Sequence, residues 1–223
     1  MKNQKTETMK ERKNNVELNA NQNENLTIVF DGENGKKGIK SPDGKILVPA
    51  NYDDFVYTYD YTILSAHPYV AVRDGKMGLV KPDGKGTEIT PFVYYDIHMI
   101  KGWVLHFLYR NNSENKFGIM SRNGKEITPC NLESYSCGTH TVFFKSGNHH
   151  GLWHSSLDEL LEPIYDEIEV DDPDEPLVFT LNGEKGYVKL EDHSFLSQAY
   201  LESLDEDESH DLLLECICDQ YDF

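Results

Sequence analysis

Short apolar runs alternate with polar turn residues along most of this chain. Runs rich in β-branched and aromatic side chains recur as "LTIVF" (26–30), "YVAVR" (69–73), "WVLHFLY" (103–109), "TVFFK" (141–145) and "LVFTL" (177–181). Two further runs follow each of the first three, as with "GIKS" and "KILV" on either side of Pro42-Asp43-Gly44. Runs of this length, bounded by Gly, Pro, Asp and Asn, predict short antiparallel β-strands.

The pattern repeats five times. A shared glycine marks each copy, and the steps between these glycines are 40, 40, 33 and 35 residues: Gly38, Gly78, Gly118, Gly151 and Gly186. A turn pair follows in the first three copies: Asp43-Gly44, Asp83-Gly84 and Asn123-Gly124. Such pairs favour tight primed turns because Gly and Asn tolerate positive φ. The sequence therefore predicts an all-β fold, a tandem array of about five three-stranded antiparallel meanders with a short C-terminal cap.

Two residue types inside each copy carry structural information. The shared glycine lies within the second strand, where a missing side chain indicates a bulge or a close backbone approach. A proline after the third run lacks a hydrogen-bond donor and so ends the strand or keeps it at an edge: Pro49, Pro91, Pro129 or Pro163. With three strands per copy, we expect an open, curved stack rather than a propeller of four-stranded blades. A closed ring of five small sheets is the remaining alternative.

The chain divides into three regions. Residues 1–25 are polar and rich in Asn, Lys and Glu, which predicts a disordered tail. Residues 26–204 form the repeat domain, with copies at about 26–55, 69–96, 103–134, 141–167 and 177–203. Residues 205–223 form an acidic C-terminal cap, in which Cys216-Ile217-Cys218 belongs to a short apolar run. We expect this run to close the last repeat as a buried strand or helix.

The plan of a strand, then Gly-Lys-x-Gly, an Asp-Gly turn, Lys-Ile-x-x-Pro and Tyr-Asp-Asp resembles the WG repeat, a bacterial module. The resemblance covers residues 26–204 and is stronger in the first three copies. The eponymous Trp is absent, and its place is taken by Lys37, Met77, Phe117, His150 and Lys185. Trp103 and Trp153 stand elsewhere as candidates for core packing. The resemblance implies an all-β repeat array and supplies no catalytic residue.

The cysteines and the N-terminal segment indicate the cellular compartment of the chain. Cys130, Cys137, Cys216 and Cys218 fit no zinc-binding spacing, and the polar N-terminal segment lacks the apolar centre of a signal peptide. No run approaches the eighteen apolar residues of a membrane helix. We therefore expect a cytoplasmic chain with reduced thiols, no metal and no cofactor.

Net charge is concentrated at one end of the chain. The whole chain has 223 residues and a formal charge of −18. Residues 155–223 contain 22 acidic residues and two lysines, so they carry all of the excess. The acids are densest in two runs, "DEIEVDDPDEP" (166–176) and "ESLDEDESHD" (202–211), which follow Tyr165 and Tyr200. Such asymmetry is typical of a surface that faces a partner or of an acidic tail.

The repeat register predicts where these acids lie. Corresponding connections of stacked repeats project from one side, so the two runs should be neighbours. Asp53, Asp54 and Asp96 hold the matching positions in earlier copies and should extend the acidic side. The candidate contact residues are the densest ones: Asp171, Asp172, Asp174, Glu175, Asp205, Glu206, Asp207 and Glu208. This surface would attract basic proteins and repel nucleic acid. The alternative is an edge that only confers solubility.

A second candidate surface follows Tyr52. Phe55, Tyr57, Tyr59 and Tyr61 alternate with smaller residues, and a period of two places the four rings on one face of an extended segment. Tyrosine favours protein interfaces because it combines apolar area with a hydroxyl. The alternative, which we favour, is an additional strand with its rings in the core.

Catalytic chemistry finds little support. His149, His150 and His154 cluster around Gly151, but the adjacent His149 and His150 would point to opposite faces of a strand, which prevents shared metal ligation. The sequence favours a non-enzymatic protein-binding module whose acidic side contacts a basic partner, for example an immunity-type inhibitor of a nuclease-like toxin. The alternatives are a hydrolase or metal-dependent enzyme using these histidines, and a structural scaffold.

Overall fold

The computed structural model describes residues 26–56, 67–100, 106–111, 114–138, 140–170 and 175–218. The predicted disordered tail, residues 1–25, lies outside this part of the chain. Strands dominate the described residues, and helices occur there only near the C-terminal end. The prediction of an all-β fold is confirmed.

The strands form five antiparallel sheets, each with its strands in chain order. Three sheets have three strands each. The first contains β1 (Ile28–Asp31), β2 (Lys37–Lys40) and β3 (Ile46–Tyr52). The second contains β4 (Asp54–Phe55), β5 (Tyr69–Arg73) and β6 (Lys76–Val80). The third contains β7 (Asp96–Met99), β8 (His106–Arg110) and β9 (Gly118–Ser121).

The other two sheets have four strands each. The fourth contains β10 (Ser134–Cys137), β11 (Thr141–Ser146), β12 (His149–His154) and β13 (Glu159–Tyr165). The fifth contains β14 (Glu167–Glu169), β15 (Val178–Leu181), β16 (Glu184–Val188) and β17 (Phe195–Ser197). Two helices follow, α1 (Gln198–Leu201) and α2 (Glu206–Leu214).

The described residues divide into two compact units. The first contains the described residues within 26–100 together with 106–111 and 120–126, and the second contains those within 114–119 and 127–218. The first unit holds the first and second sheets, and the second unit holds the fourth and fifth.

The repeated meanders are confirmed, but each sheet from the second to the fifth takes one strand from an unexpected place. The segment directly after each copy's tyrosine position forms the first strand of the following sheet: β4, β7, β10 and β14. Asp54 and Phe55 thus pair with Val72 and Ala71 of β5. These segments have only two to four residues, so no period-two pattern marks them in the sequence. The last strand of the second copy is correspondingly reduced to isolated bridges, Val80 with Glu88 and Met77 with Tyr94.

The predicted turns form with a different geometry. Gly44, Gly84 and Gly124 have φ of 89°, 78° and 78°, while the Asp or Asn before each has no positive φ. A type I′ turn needs positive φ at both central residues and a type II′ turn at the first, so the prediction of primed turns was wrong for these three pairs. Paired positive φ values occur instead between the first and second runs of two copies. They belong to Asp74-Gly75 (52° and 71°) and Asn182-Gly183 (53° and 79°).

Three of the shared glycines, Gly38, Gly151 and Gly186, lie where the backbone is approached closely, as predicted. A Cβ on Gly38 would lie 2.7 Å from both the Phe30 ring and the carbonyl oxygen of Val48. On Gly186 it would lie 2.2 Å from the carbonyl oxygen of Leu196. The β2–β3 register shifts beside Gly38, which is the expected bulge. Only glycine fits these positions without displacing neighbouring backbone.

Each unit has its own apolar core between consecutive sheets. The core of the first unit joins the first two sheets through Ile39, Leu47, Val48, Tyr52, Phe55, Tyr69, Ala71 and Val80. The core of the second unit joins the last two sheets through Leu152, Leu161, Tyr165, Leu177, Phe179, Val188 and Ile217. Trp153 is also buried, as expected for a packing residue, whereas Trp103 lies outside the described residues.

The C-terminal segment closes the last sheet. Cys216 bridges Lys189, and Cys218 bridges Pro176, so the segment runs between these two positions in extended conformation. The amide of Ile217 donates to the carbonyl of Val188 at 2.9 Å, and the Ile217 side chain is fully buried. The predicted cap is therefore an extended segment that covers core residues of the fifth sheet.

Candidate functional site

The two acidic runs of the second unit are connected to the two edge strands of the fifth sheet. The first acidic run begins after β13 and continues as β14, which forms one edge of that sheet. The second run follows β17 at the opposite edge and forms α2. Three strand spacings separate the two edges, or roughly 14 Å. Glu167 and Glu169 thus lie on the strand at the edge opposite β17, and the shared flank of the two runs stays a prediction.

The later part of the first run lies beside the C-terminal segment. Glu175 is exposed and precedes Pro176, which bridges Cys218. The amide of Leu177 donates to the carbonyl of Ile217 at 2.8 Å. The segment that follows α2 therefore lies beside the end of the first acidic run. Asp171, Asp172 and Asp174 lie outside the described residues.

Four consecutive acids of the second run lie at the start of α2. Asp205 is the N-cap residue, and its carboxylate accepts a hydrogen bond of 2.9 Å from the amide of Glu208. Glu206, Asp207 and Glu208 occupy the first turn. Carboxylates at this end of a helix are stabilised by the exposed amides and by the helix dipole. These acids therefore have a structural role as well as a charge.

Helix α2 contributes little to the core. None of its nine residues is buried, and Leu214 is 71% exposed. Helices of this length are marginal in water unless one face packs against other elements. The helix is held by its N-cap at one end and by the buried Cys216–Cys218 segment at the other. The acids of its first turn therefore lie on a helix that is exposed to solvent.

Both lysines of residues 155–223 are already paired. Lys185 lies 2.5 Å from Glu169, and Lys189 lies 2.6 Å from Glu215. The hydrogen bond from Lys189 to Glu215 raises the pKa of Lys189, so this lysine keeps its charge. Within the described residues no Lys, Arg or His pairs with the exposed acids Glu175, Asp205, Glu206, Asp207 and Glu208. No base of the described ranges therefore compensates their charge.

The acids of the earlier copies differ in this respect. Asp53 pairs with Lys36 at 2.5 Å, and Asp54 pairs with Lys37 at 2.8 Å. Asp96 lies 3.5 Å from the Arg110 guanidinium. The expectation that these three acids extend a negative surface is wrong, because each has a basic neighbour close by in the folded chain.

The repeated aspartate after the tyrosine holds the next hairpin. The second carboxylate oxygen of Asp53 accepts from the amide of Asp74 at 2.7 Å, within the primed turn of the following sheet. Asp166 accepts from the amide of Gly183 at 2.9 Å in the equivalent turn. The sequence signal is the recurring Tyr-Asp pair, which predicted an acidic side and did not reveal this contact.

The tyrosine-rich segment can be described only at its start. Tyr57, Tyr59 and Tyr61 lie outside the described residues. Phe55 is 9% exposed, and its ring meets those of Tyr52 and Tyr69 edge to face. For Phe55, the core alternative is correct.

The candidate catalytic histidines do not converge. His149 is exposed and lies 4.0 Å from Asp166, whereas His154 is fully buried and stacks on His140 with ring centroids 6.0 Å apart. Among the described residues, no group of three His, Cys, Asp or Glu side chains is arranged to hold a metal ion. Neither helix of this part of the chain is long and apolar enough to cross a membrane.

Comparisons with known proteins give little information. No protein-family model matches the chain, and no curated protein matches it. One similar solved structure is Hsv2 of Kluyveromyces lactis with its complete loop 6CD. The sequences are 13% identical, and the alignment covers 69% of this chain and 54% of that chain, with a TM-score of 0.32. This chain thus spans about half the length of Hsv2, and a TM-score this low bears on neither fold nor function.

Proposed function

We propose that this chain is a non-enzymatic protein-binding module that contacts a basic partner through its acidic C-terminal surface. The contact residues are Glu175, Asp205, Glu206, Asp207 and Glu208, together with Asp171, Asp172 and Asp174 of the same sequence runs. The observation that carries the proposal is that the described members of this set are exposed and form no ion pair with any described residue, while Lys185 and Lys189 are paired with other acids.

The charge pattern favours a protein over a nucleic acid as partner. Uncompensated carboxylates repel phosphates and attract Lys- and Arg-rich surfaces, with a range limited to about 8 Å at physiological salt. The exposed Leu214 lies on the same helix as these acids and offers apolar area for a contact. One version of this partner is a nuclease-like toxin, whose basic cleft the acidic surface would cover as an immunity protein.

Affinity capture with matched variants tests the proposal. The test variant carries Asp205→Asn, Glu206→Gln, Asp207→Asn and Glu208→Gln, and the Asp205→Asn change preserves the N-cap because an asparagine side chain also accepts a backbone hydrogen bond. The control removes the same charge from other exposed acids: Glu162→Gln, Glu167→Gln, Glu184→Gln and Glu191→Gln. We expect a basic protein to be retained by the wild type and the control, lost by the test variant, and released as salt is raised.

The purified pair then gives the decisive measurement. We expect its dissociation constant to rise at least tenfold for the test variant and less than threefold for the control. If the partner has nuclease activity, adding this chain should inhibit it with the same ranking of variants. Equal binding by all three proteins would contradict the proposal, because the contact would then not depend on α2.

We also propose that the five modules are degenerate WG repeats. The proposal is supported by the glycine next to the Trp position, where close approach excludes a side chain at Gly38, Gly151 and Gly186. Phe117 holds the Trp position of the third copy. If a tryptophan fits this position, Phe117→Trp should change the unfolding free energy by less than about 1.5 kcal/mol, the usual limit for tolerated hydrophobic exchanges. Phe107→Trp, at a fully buried position, should cost more. Equal costs would count against the assignment.

We propose further that the chain is cytoplasmic. None of the four cysteines forms a disulfide among the described residues, and Cys216 and Cys218 are buried in the closing segment. Cell fractionation should recover the protein with the cytoplasmic fraction, and a thiol titration in denaturant without reductant should find all four thiols. Recovery from an oxidising compartment would contradict this assignment.

A further inference from the structure

A groove on the first unit has the volume and the mixed lining of a ligand site. Its residues precede both acidic runs in the sequence. Its volume is about 480 Å³, within the usual range for small-molecule sites. It is lined by Pro68, Lys81, Pro82, Asp83, Ile89, Arg122 and Asn123. The lining therefore combines two prolines and an isoleucine with charged and amide side chains.

The two basic residues of the groove are available to a ligand. Lys81 and Arg122 are exposed, and neither forms an ion pair with any residue of the described ranges. Other bases of this unit, Lys36, Lys37 and Arg73, are each paired with a carboxylate. The groove thus holds cations without carboxylate partners in a unit where several other bases are neutralised.

The charge of Arg122 acts on a buried histidine next to the lining residue Pro68. His67 is 4% exposed beside Pro68, and its Nδ1 donates to the Pro68 carbonyl at 3.0 Å. Burial lowers the pKa of His67, and the positive charge of Arg122 lowers it further. His67 therefore remains neutral near pH 7 and adds no charge to the site.

The carboxylate of Asp83 is committed to its own turn. One of its oxygens accepts from the amides of Lys85, Gly86 and Thr87, and the other accepts from the Thr87 hydroxyl at 2.5 Å. The Thr87 hydrogen bond is the main cause that lowers the pKa of Asp83 to about 2. Asp83 is therefore negative at all ordinary pH values, and the three charged lining residues sum to a single positive charge.

We propose that this groove binds a small monocarboxylate with an apolar body, its carboxylate held by Arg122 and Lys81 and its apolar part lying on Pro68, Pro82 and Ile89. A guanidinium binds a carboxylate through two parallel hydrogen bonds, and the Lys81 ammonium adds a point charge. The single net positive charge complements one negative charge. Asp83 disfavours a dianion such as a phosphate monoester.

The test uses the full chain and phenylacetate as the probe. In a ¹H–¹⁵N NMR titration we expect saturable shift changes at the amides of Lys81, Ile89 and Asn123. Phenyl phosphate should bind more weakly than phenylacetate, and benzyl alcohol should give no saturation. Tighter binding of phenyl phosphate would overturn the choice of a monocarboxylate.

Matched variants assign the binding to these two bases. We expect Lys81→Gln with Arg122→Gln to weaken phenylacetate binding at least tenfold, because each removes a charge-assisted contact. The control, Lys85→Gln with Lys125→Gln, removes the same charge from exposed lysines outside the lining and should weaken binding less than twofold. Equal weakening by both pairs, or no saturable shift change in the wild type, would overturn the proposal. The acidic surface is unchanged in these variants, so the outcome is independent of partner capture.

Discussion

The hydroxyl of Tyr52 donates a hydrogen bond of 3.0 Å to the carbonyl of Gly86, joining the last strand of the first copy to the turn region of the second. The same region receives a second contact, since the amide of Gly84 donates to the carbonyl of Leu47 at 2.8 Å. Tyr52 therefore links the first two modules through its hydroxyl, while its ring lies in the core of the first unit.

Removing this hydroxyl should weaken the link between the first two modules. We expect Tyr52→Phe to lower the unfolding free energy by about 1 kcal/mol, because the buried Gly86 carbonyl loses its donor. Urea denaturation followed by fluorescence measures the change. Tyr200→Phe is the control, since Tyr200 is 50% exposed, and it should lie within about 0.5 kcal/mol of wild type. Equal effects would show that the Tyr52 bond contributes nothing.

The shared glycine should not tolerate a side chain. In Gly186→Ala the new Cβ would lie 2.2 Å from the Leu196 carbonyl oxygen, so backbone must move. We expect a loss of about 2 kcal/mol or more, as overpacked sites show. Gly183→Ala is the comparison, since it has open space and strains only its positive φ, at a cost of about 1 kcal/mol. Thermal unfolding of both variants ranks them, and a smaller effect at Gly186 would contradict the close approach.

Alkaline pH should destabilise the first unit through Tyr94. Its hydroxyl donates to Glu126 at 3.1 Å, and burial, reinforced by this carboxylate, raises the pKa of Tyr94 to about 12. The unfolded tyrosine loses its proton near pH 10, so the unfolded state binds fewer protons between about pH 10 and 12. The contribution of Tyr94 to stability is therefore constant below about pH 10 and falls above it.

The variant Tyr94→Phe isolates this contribution. Its unfolding free energy should fall less between about pH 9 and 11.5 than that of wild type, by up to about 2 kcal/mol, when both are measured by urea denaturation. Tyr200→Phe should follow the wild-type curve. If the two proteins lost the same unfolding free energy over this pH range, Tyr94 would not be the cause of the loss at alkaline pH.

The closing segment should stabilise the second unit. Ile217 is fully buried in the core of the last two sheets, and we expect Ile217→Ala to cost about 2–5 kcal/mol. Leu214→Ala, three residues earlier and 71% exposed, should cost less than about 0.5 kcal/mol. Hydrogen exchange of the Phe179 and Val188 amides should accelerate only in the first variant. Unchanged exchange there would contradict a closing role for the segment.

Local patterns predicted much of the fold. Alternating apolar runs and their turn residues identified the strands, because side-chain period and turn chemistry depend only on neighbours in the chain. The glycine spacing located the repeats, and the prediction of a bulge at Gly38 was correct for the same reason. The two-residue strand Asp54–Phe55 was missed, because it is defined by its pairing with Val72 and Ala71, far away in sequence.

The sequence by itself determined the repeat period, the all-β class and the charge excess of residues 155–223. Only the tertiary structure decided which acids have a basic partner among the described residues. Asp53 and Asp205 look alike in the sequence, yet Asp53 pairs with Lys36 while Asp205 caps an exposed helix. Charge compensation depends on distances between residues that folding brings together, and composition does not contain those distances.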